Sequence, residues 1–369
     1  MKITEINLFR YKLPLTLPMS FEGKAMPERE GLILEITDED HSVGFGEIAP
    51  LPGFSEERLQ EAQRQALDLK DALINRRIPE GVEKLTWHFD TWLKTYKLFP
   101  SVRCGFEMAV LDLLARSREV SLHELFGAKH QRSVPLSALI QGTQKQLSRE
   151  VKNYVHEGVR SFKLKVGSND TYSDLERIAF VRSILPANAA LRIDANQQWD
   201  YGAAGSFAKA MEKDLRNGVE YLEEPTKDNL LLGEFFKVTQ FPYALDESLR
   251  QLPLKTIKEL KGVKAFILKP TMLGGFERAM NWARLAQGSG IGAVVSSSFE
   301  TGVGVRALAQ LAAALPEPRS PAGLDTLKWF EKDIYTEGLA IKDGSILTES
   351  LSVDKNLMDF RLMEPVKKG

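Results

Sequence analysis

Five charged residues, Lys165, Asp194, Glu223, Asp246 and Lys269, each stand at the end of a short apolar run, in SFKLKV, ALRIDAN, VEYLEEP, YALDES and AFILKP, at intervals of about 23 to 29 residues. Runs of that length that stay apolar on both faces are expected of strands in a parallel sheet. A barrel of eight strand-helix repeats over ~250 residues needs about 30 residues per unit, close to the observed interval. Between the runs lie SDLERIAFVRSIL, SFAKAMEKDLR and FERAMNWARLAQG, whose apolar residues recur at three and four, as outer helices require. A barrel gathers its strand ends into one ring, so the spacing predicts that these five residues share one site.

The ends of the chain follow another pattern. Residues 1 to about 50 alternate apolar and polar side chains, which predicts antiparallel strands. Residues 55 to about 127 are predicted as helices, with SEERLQEAQRQALDLKDALI opening on a serine cap. The stretch IYTEGLAIKDGSILTE resumes the strand and turn pattern near the C-terminus. The expected fold is α/β, with an α+β capping domain from residues 1–127, to which 330–369 return, and a barrel over 128–329.

Composition excludes several classes of function. The chain has 369 residues, 43% of them hydrophobic, enough for a large core. A formal net charge of -1 with interspersed signs leaves no basic stripe for nucleic acid and no polybasic patch for a membrane. The single Cys104 excludes an intramolecular disulfide framework, and MKITEINLFRYKLPL breaks its apolar residues with charges, so a cytoplasmic location is expected. The sequence does not specify an oligomeric state.

Lys163 and Lys165 are two apart and point to one side of a strand. Two ammonium groups so close disfavour each other's charge, so one can persist as a free amine and act as a base. Asp194, Glu223 and Asp246 would meet at the barrel mouth as three oxygen ligands, a set suited to one Mg²⁺ that keeps positions open for a small-molecule carboxylate. Lys269 would stand across the mouth from Lys165. Each residue alone also fits a plainer role: a solvated lysine pair, a helix cap at Asp194, a turn at Asp246, a snorkelling Lys269. Together they favour a site, because caps have no reason to fall at successive strand ends opposite lysines.

The segments FKLKVG, RIDAN, LEEP, LDES and ILKPTMLGG resemble the second to sixth barrel strands of the muconate lactonizing subgroup of the enolase superfamily, and the resemblance spans essentially the whole chain. It implies a modified (β/α)7β barrel of TIM type with an α+β cap, Lys165 and Lys269 as acid/base residues, and Asp194, Glu223 and Asp246 as magnesium ligands. The segments GEIAPLPGFSEERLQEAQ, PSVRCGFEMAVLDLL, VVSSSFETGVG and GLDTL are similar to a dehydrating branch of that subgroup, which implies loss of water from a cyclohexadiene carboxylate to give an aromatic product. Competing readings are an N-acylamino acid racemase or dipeptide epimerase and, in another class, a non-catalytic barrel binding a metal or a small acid. The single acid Asp325 of GLDTL, without an acidic partner, speaks against a dipeptide's ammonium.

Weaker signals surround this set. Ser296 and Ser298 share a face of the seventh strand and are candidates for a second substrate carboxylate. Arg192 shares the face of Asp194 and either pairs with an acid or walls the site. Phe21, in MSFEGKAM with Glu22 and Gly23, and Gly53 and Phe54, after Pro52, are expected in loops that cover the mouth. Arg103 and Glu107 are charged where the family pattern is more apolar, so their place in the cap is open. GVGVRA is only part of a dinucleotide fingerprint, Asn169 matches a glycosylation sequon without a secretory segment, and His123 and His130 are expected on the surface.

Overall fold

The alternating N-terminal pattern folds as an antiparallel meander, Ile3–Phe21, Lys24–Asp38 and Val43–Ile48, in a computed structural model that describes residues 1–21, 24–167 and 170–367. The strand Met363–Pro365 pairs antiparallel with the free edge of the first strand. Glu22, Gly23 and Asn169 lie outside the described residues. The helix Pro100–Ser117 packs on this sheet at two glycines of VGFGEI. A Cβ on Gly44 would stand 2.2 Å from the Ala109 carbonyl, and one on Gly46 2.1 Å from the Gly105 carbonyl. Only glycine permits that approach.

Among the described residues, seven parallel strands follow in chain order: Ser137–Ile140, Ser161–Lys165, Ala190–Asp194, Val219–Glu223, Tyr243–Leu245, Val263–Leu268 and Gly292–Val295. Ala322 and Gly323 bridge both edges, pairing in parallel with Leu136 and Ser296. Ala322 exchanges backbone hydrogen bonds with Ser137 (2.8 Å) and Pro135 (2.7 Å) beside the first strand, and Gly323 with Val295 (2.9 Å) and Ser297 (3.0 Å) beside the seventh, which closes the (β/α)7β barrel. The strands are buried on both faces, which is why their sequences read as near-continuous apolar runs.

Three expectations are corrected. The first long helix spans Leu59–Leu73 with Arg58 at its N-cap; Ser55 instead accepts the Leu51 N–H (2.9 Å), while Glu61 accepts the Arg58 N–H (2.8 Å). The stretch SFAKAMEKDLR breaks into Tyr201–Ala210 and Lys213–Asn217. His123 is buried against Ser121 and Gln310, whose side-chain Oε1 accepts the Leu122 N–H (2.7 Å), and of the two histidines His130 alone is exposed.

Cap and barrel meet through buried carboxylates placed on helix N-termini. Glu47 of the third cap strand accepts the backbone N–H groups of Thr301 and Gly304 (both 2.9 Å), the Thr301 hydroxyl (2.8 Å) and the Tyr11 hydroxyl (2.6 Å), at the start of the helix Gly302–Ala313. The position where GVGVRA would take a phosphate is thus filled by the protein's own anion. Glu107 does the same for Phe276–Gly288, accepting the Glu277 N–H (3.0 Å). Arg103 donates to Glu107 (2.6 Å), Glu277 (3.1 Å) and Asp90. The two charged residues left open by the sequence are therefore the seam between cap and barrel.

Glu47→Ala strands these donors in the interior and is expected to lower stability by about 3 kcal/mol, read from urea unfolding. Burial pushes the Glu47 carboxyl up from 4.5 to about 7, against the Tyr11 and Thr301 donors. As pH rises from 4.5 to about 7, the unfolded chain gives up this proton before the native protein does, so Glu47 makes stability fall through that window. The urea midpoint should decline between pH 5 and 7.5, and Glu47→Gln should flatten part of that slope.

Candidate active site

The second, third and fourth barrel strands run in register, with Lys165 opposite Asp194 and Asp194 opposite Glu223. Asp246 and Lys269 are the first residues past the fifth and sixth strands. All five expected residues therefore reach the C-terminal mouth of the barrel, where active sites of such barrels are built. Lys163, Lys165, Asp194, Glu223 and Lys269 line one cavity that opens to solvent.

The charges are arranged in pairs. Lys163 Nζ lies 2.8 Å from Asp194 Oδ2 and 2.7 Å from Glu223 Oε1, and Lys269 is hydrogen-bonded to Asp246. Burial opposes the charge of Lys163, yet Asp194 and Glu223 hold its ammonium well above the usual lysine range. Lys165 makes no ion pair among the described residues. Burial pushes it below the usual range, against the pull of Asp194 and with the push of Lys163 and Lys269. The two neighbouring lysines thus differ in character, Lys163 paired with two carboxylates and Lys165 unpaired and buried, with burial the larger cause of the downward push on Lys165.

Among the described residues, no three His, Cys, Asp or Glu side chains are already assembled around one point as a metal site. Lys163 supplies the positive charge between two of the carboxylates instead. The donor set nevertheless fits a hard divalent cation: three carboxylates at adjacent strand ends, with the buried Oε2 of Glu223 left without a hydrogen-bond partner.

Glu224, the second acid of LEEP, escaped the sequence reading. It accepts the N–H groups of Asp246 (2.6 Å) and Ser248 (2.9 Å), the Ser248 hydroxyl (2.7 Å) and the Gln197 amide (2.9 Å), and so fixes the turn that carries Asp246. Non-glycine residues with positive φ cluster at the same rim: Asn196 (43°), Gln197 (55°), Glu224 (44°) and Phe299 (61°). Strain of this kind persists where surrounding contacts over-determine the backbone.

The other expected residues divide. Ser298 is buried in the cavity wall with an unpartnered hydroxyl, whereas Ser296 donates to the Gly323 carbonyl (3.3 Å). Arg192 both pairs with an acid, Glu220 (2.8 Å), and walls the cavity, its guanidinium 5.3 Å from the Tyr221 ring centroid. Phe54 reaches the cavity, its ring centroid 5.9 Å from Lys269 Nζ. Gly53 does not; it forms an exposed turn with φ 83° beside a separate surface groove. Phe21 ends the first cap strand, and its side chain lies outside the described residues.

Arg29 was also missed, since nothing local marks it. Its buried guanidinium donates to the carbonyls of Glu30 (2.8 Å), Ala49 (2.6 Å), Pro50 (2.8 Å), Ser298 (3.3 Å) and Phe299 (3.0 Å). It therefore clamps the cap segment before Phe54 to the barrel loop that carries Ser298.

Residues 146–351 match a family model described as "Enolase C-terminal domain-like", and residues 3–113 match one described as "MenC, N-terminal domain". An o-succinylbenzoate synthase of Aliivibrio salmonicida is 31% identical over 89% of this chain and 92% of its own length. Protein PHYLLO, chloroplastic, of Arabidopsis thaliana is 31% identical over 92% of this chain, which spans only 22% of that protein. A dipeptide epimerase of Cytophaga hutchinsonii, solved with Mg and the dipeptide D-Ala-L-Val, superposes with a TM-score of 0.83 at 21% identity and covers 99% of both chains. The barrel, its cap and these matches agree: the chain belongs to the enolase superfamily and is an enzyme of it.

Proposed function

We propose that this enzyme dehydrates 2-succinyl-6-hydroxy-2,4-cyclohexadiene-1-carboxylate to 2-succinylbenzoate, the o-succinylbenzoate synthase step of menaquinone biosynthesis, in the cytoplasm and with one Mg²⁺. The observation that carries this reading is the division among the lysines. Lys163 and Lys269 are held charged on carboxylates, while Lys165 lies unpaired in the same cavity.

Asp194, Glu223 and Asp246 would hold the cation, with Lys163 yielding its place between the first two. When bound, the cation neutralises charge developing on the substrate carboxylate. Lys165 as free amine takes the proton from the ring carbon bearing that carboxylate. It then returns the proton to the hydroxyl leaving the neighbouring carbon on the same face, so water departs and the ring becomes aromatic. Lys269, four strands away on the opposite wall, keeps its charge on Asp246 and stabilises negative charge spread over the ring. The hydroxyl of Ser298, which has no partner, would donate to the succinyl carboxylate, with Phe54 covering Lys269.

Incubating the cyclohexadiene with enzyme and Mg²⁺ should yield the aromatic product by its ultraviolet spectrum, and EDTA should stop it. Metal-independent turnover, or none, rejects the reaction. Lys165→Ala should lower kcat by about 10³-fold or more. A racemase would instead return a proton from Lys269, so solvent deuterium entering N-succinyl amino acids with inversion would favour that second reading.

Removing Lys163 should expose the repulsion it relieves. Lys163→Met is expected to cost about 3 kcal/mol in EDTA, because two buried carboxylates then lack their cation. Mg²⁺ should restore much of that loss, so the metal-induced rise in Tm should be larger in the variant than in wild type.

A further inference from the structure

Lys269 and Ser298, which would meet different parts of the substrate, follow the sixth and seventh strands and belong to separate loops. One buried carboxylate joins them. Glu300 lies fully buried behind the cavity wall and accepts the Thr271 hydroxyl on Oε1 (2.6 Å), and the Ser297 hydroxyl (2.7 Å) and the Ser298 N–H (2.6 Å) on Oε2. A carboxylate can do this because its two separate oxygens each accept, which no single hydroxyl can match. Thr271 stands in the short helix Pro270–Leu273, where the Lys269 carbonyl accepts the N–H groups of Met272 and Leu273 (both 2.9 Å), so holding Thr271 holds the backbone of Lys269. The Ser297 hydroxyl also accepts the Thr326 hydroxyl (2.9 Å), which extends the tie to the loop after the eighth strand.

The main chain of Ser298 is thereby gripped from both sides, its N–H by Glu300 and its carbonyl by Arg29 (3.3 Å), while its hydroxyl in the cavity wall has no partner. A buried hydroxyl left unpaired costs free energy that an acceptor on a ligand would recover. We propose that Glu300 is a positioning residue: by tying Ser298 to the turn of Lys269, it presents the Ser298 hydroxyl to the far carboxylate of the ligand. This role rests on the proposed reading for the identity of the ligand and needs no turnover.

Glu300 also precedes the helix Gly302–Ala313, so support of the fold alone must be told apart from positioning. Calorimetry with Mg²⁺ present compares 2-succinylbenzoate with 2-butanoylbenzoate, in which a methyl group replaces the far carboxylate. Wild type should bind the first about tenfold more tightly. Glu300→Ala and Ser298→Ala should each shrink that ratio about fivefold by weakening 2-succinylbenzoate alone, and the double variant should lose no more than Glu300→Ala does. Glu300→Gln, whose carbonyl still accepts from Ser297 and Ser298, should keep the ratio within about twofold of wild type. Glu300→Asp, one methylene too short to reach both loops, serves if the alanine variant does not fold and should shift the ratio the same way. An unchanged ratio in a folded alanine or aspartate variant, equal weakening of both ligands, losses that multiply in the double variant, or a wild type that binds both ligands equally or neither overturns the proposal. If the ratios are as expected but the cyclohexadiene is not dehydrated, the proposed reaction fails and this inference stands.

Discussion

Three acids at the mouth of a barrel repel one another unless positive charge stands among them, and much of this molecule follows from how that charge is supplied. Lys163 bridges Asp194 and Glu223, and Lys269 holds Asp246. Breaking a buried pair of this kind is costly, because it leaves an uncompensated charge in the interior. The ammonium groups therefore keep the carboxylates folded inward, with Glu223 Oε2 still unpartnered. Glu224 holds the turn of Asp246 from behind, so the site depends on packing outside the cavity as well as on the residues lining it.

The same device recurs where the cap meets the barrel. Glu47 and Glu107 end on the N-termini of two barrel helices, where backbone N–H groups and the helix dipole favour a negative charge. Arg29 adds a cationic clamp made only to carbonyls, tying the segment before Phe54 to the loop of Ser298. Cap and cavity are thus linked by a few buried charges.

Much of this was legible in the sequence because the constraints were local and periodic. Apolar runs ending in Lys165, Asp194, Glu223, Asp246 and Lys269 are strands because both faces are buried, and barrel closure does the rest. What could not be read were partners set by long-range contact. Nothing near Arg29 announces its carbonyls some 20 and 270 residues away, and nothing near Asp325 announces Tyr154 at a separation of 171 residues. His123 looked like a surface residue because Gln310, which buries it, lies on a distant helix. Ser55 satisfied every local rule for a cap, yet the turn at Leu51 claimed its hydroxyl first.

The most direct test of the account is crystallographic: crystals grown with Mn²⁺ as a magnesium surrogate, with the anomalous signal used to place the ion. The account predicts one strong peak at about 2.2 Å from oxygens of Asp194, Glu223 and Asp246, with the Lys163 ammonium moved from its present position between the first two. A manganese ion bound elsewhere, or Lys163 still seated between Asp194 and Glu223 at saturating metal, would contradict it.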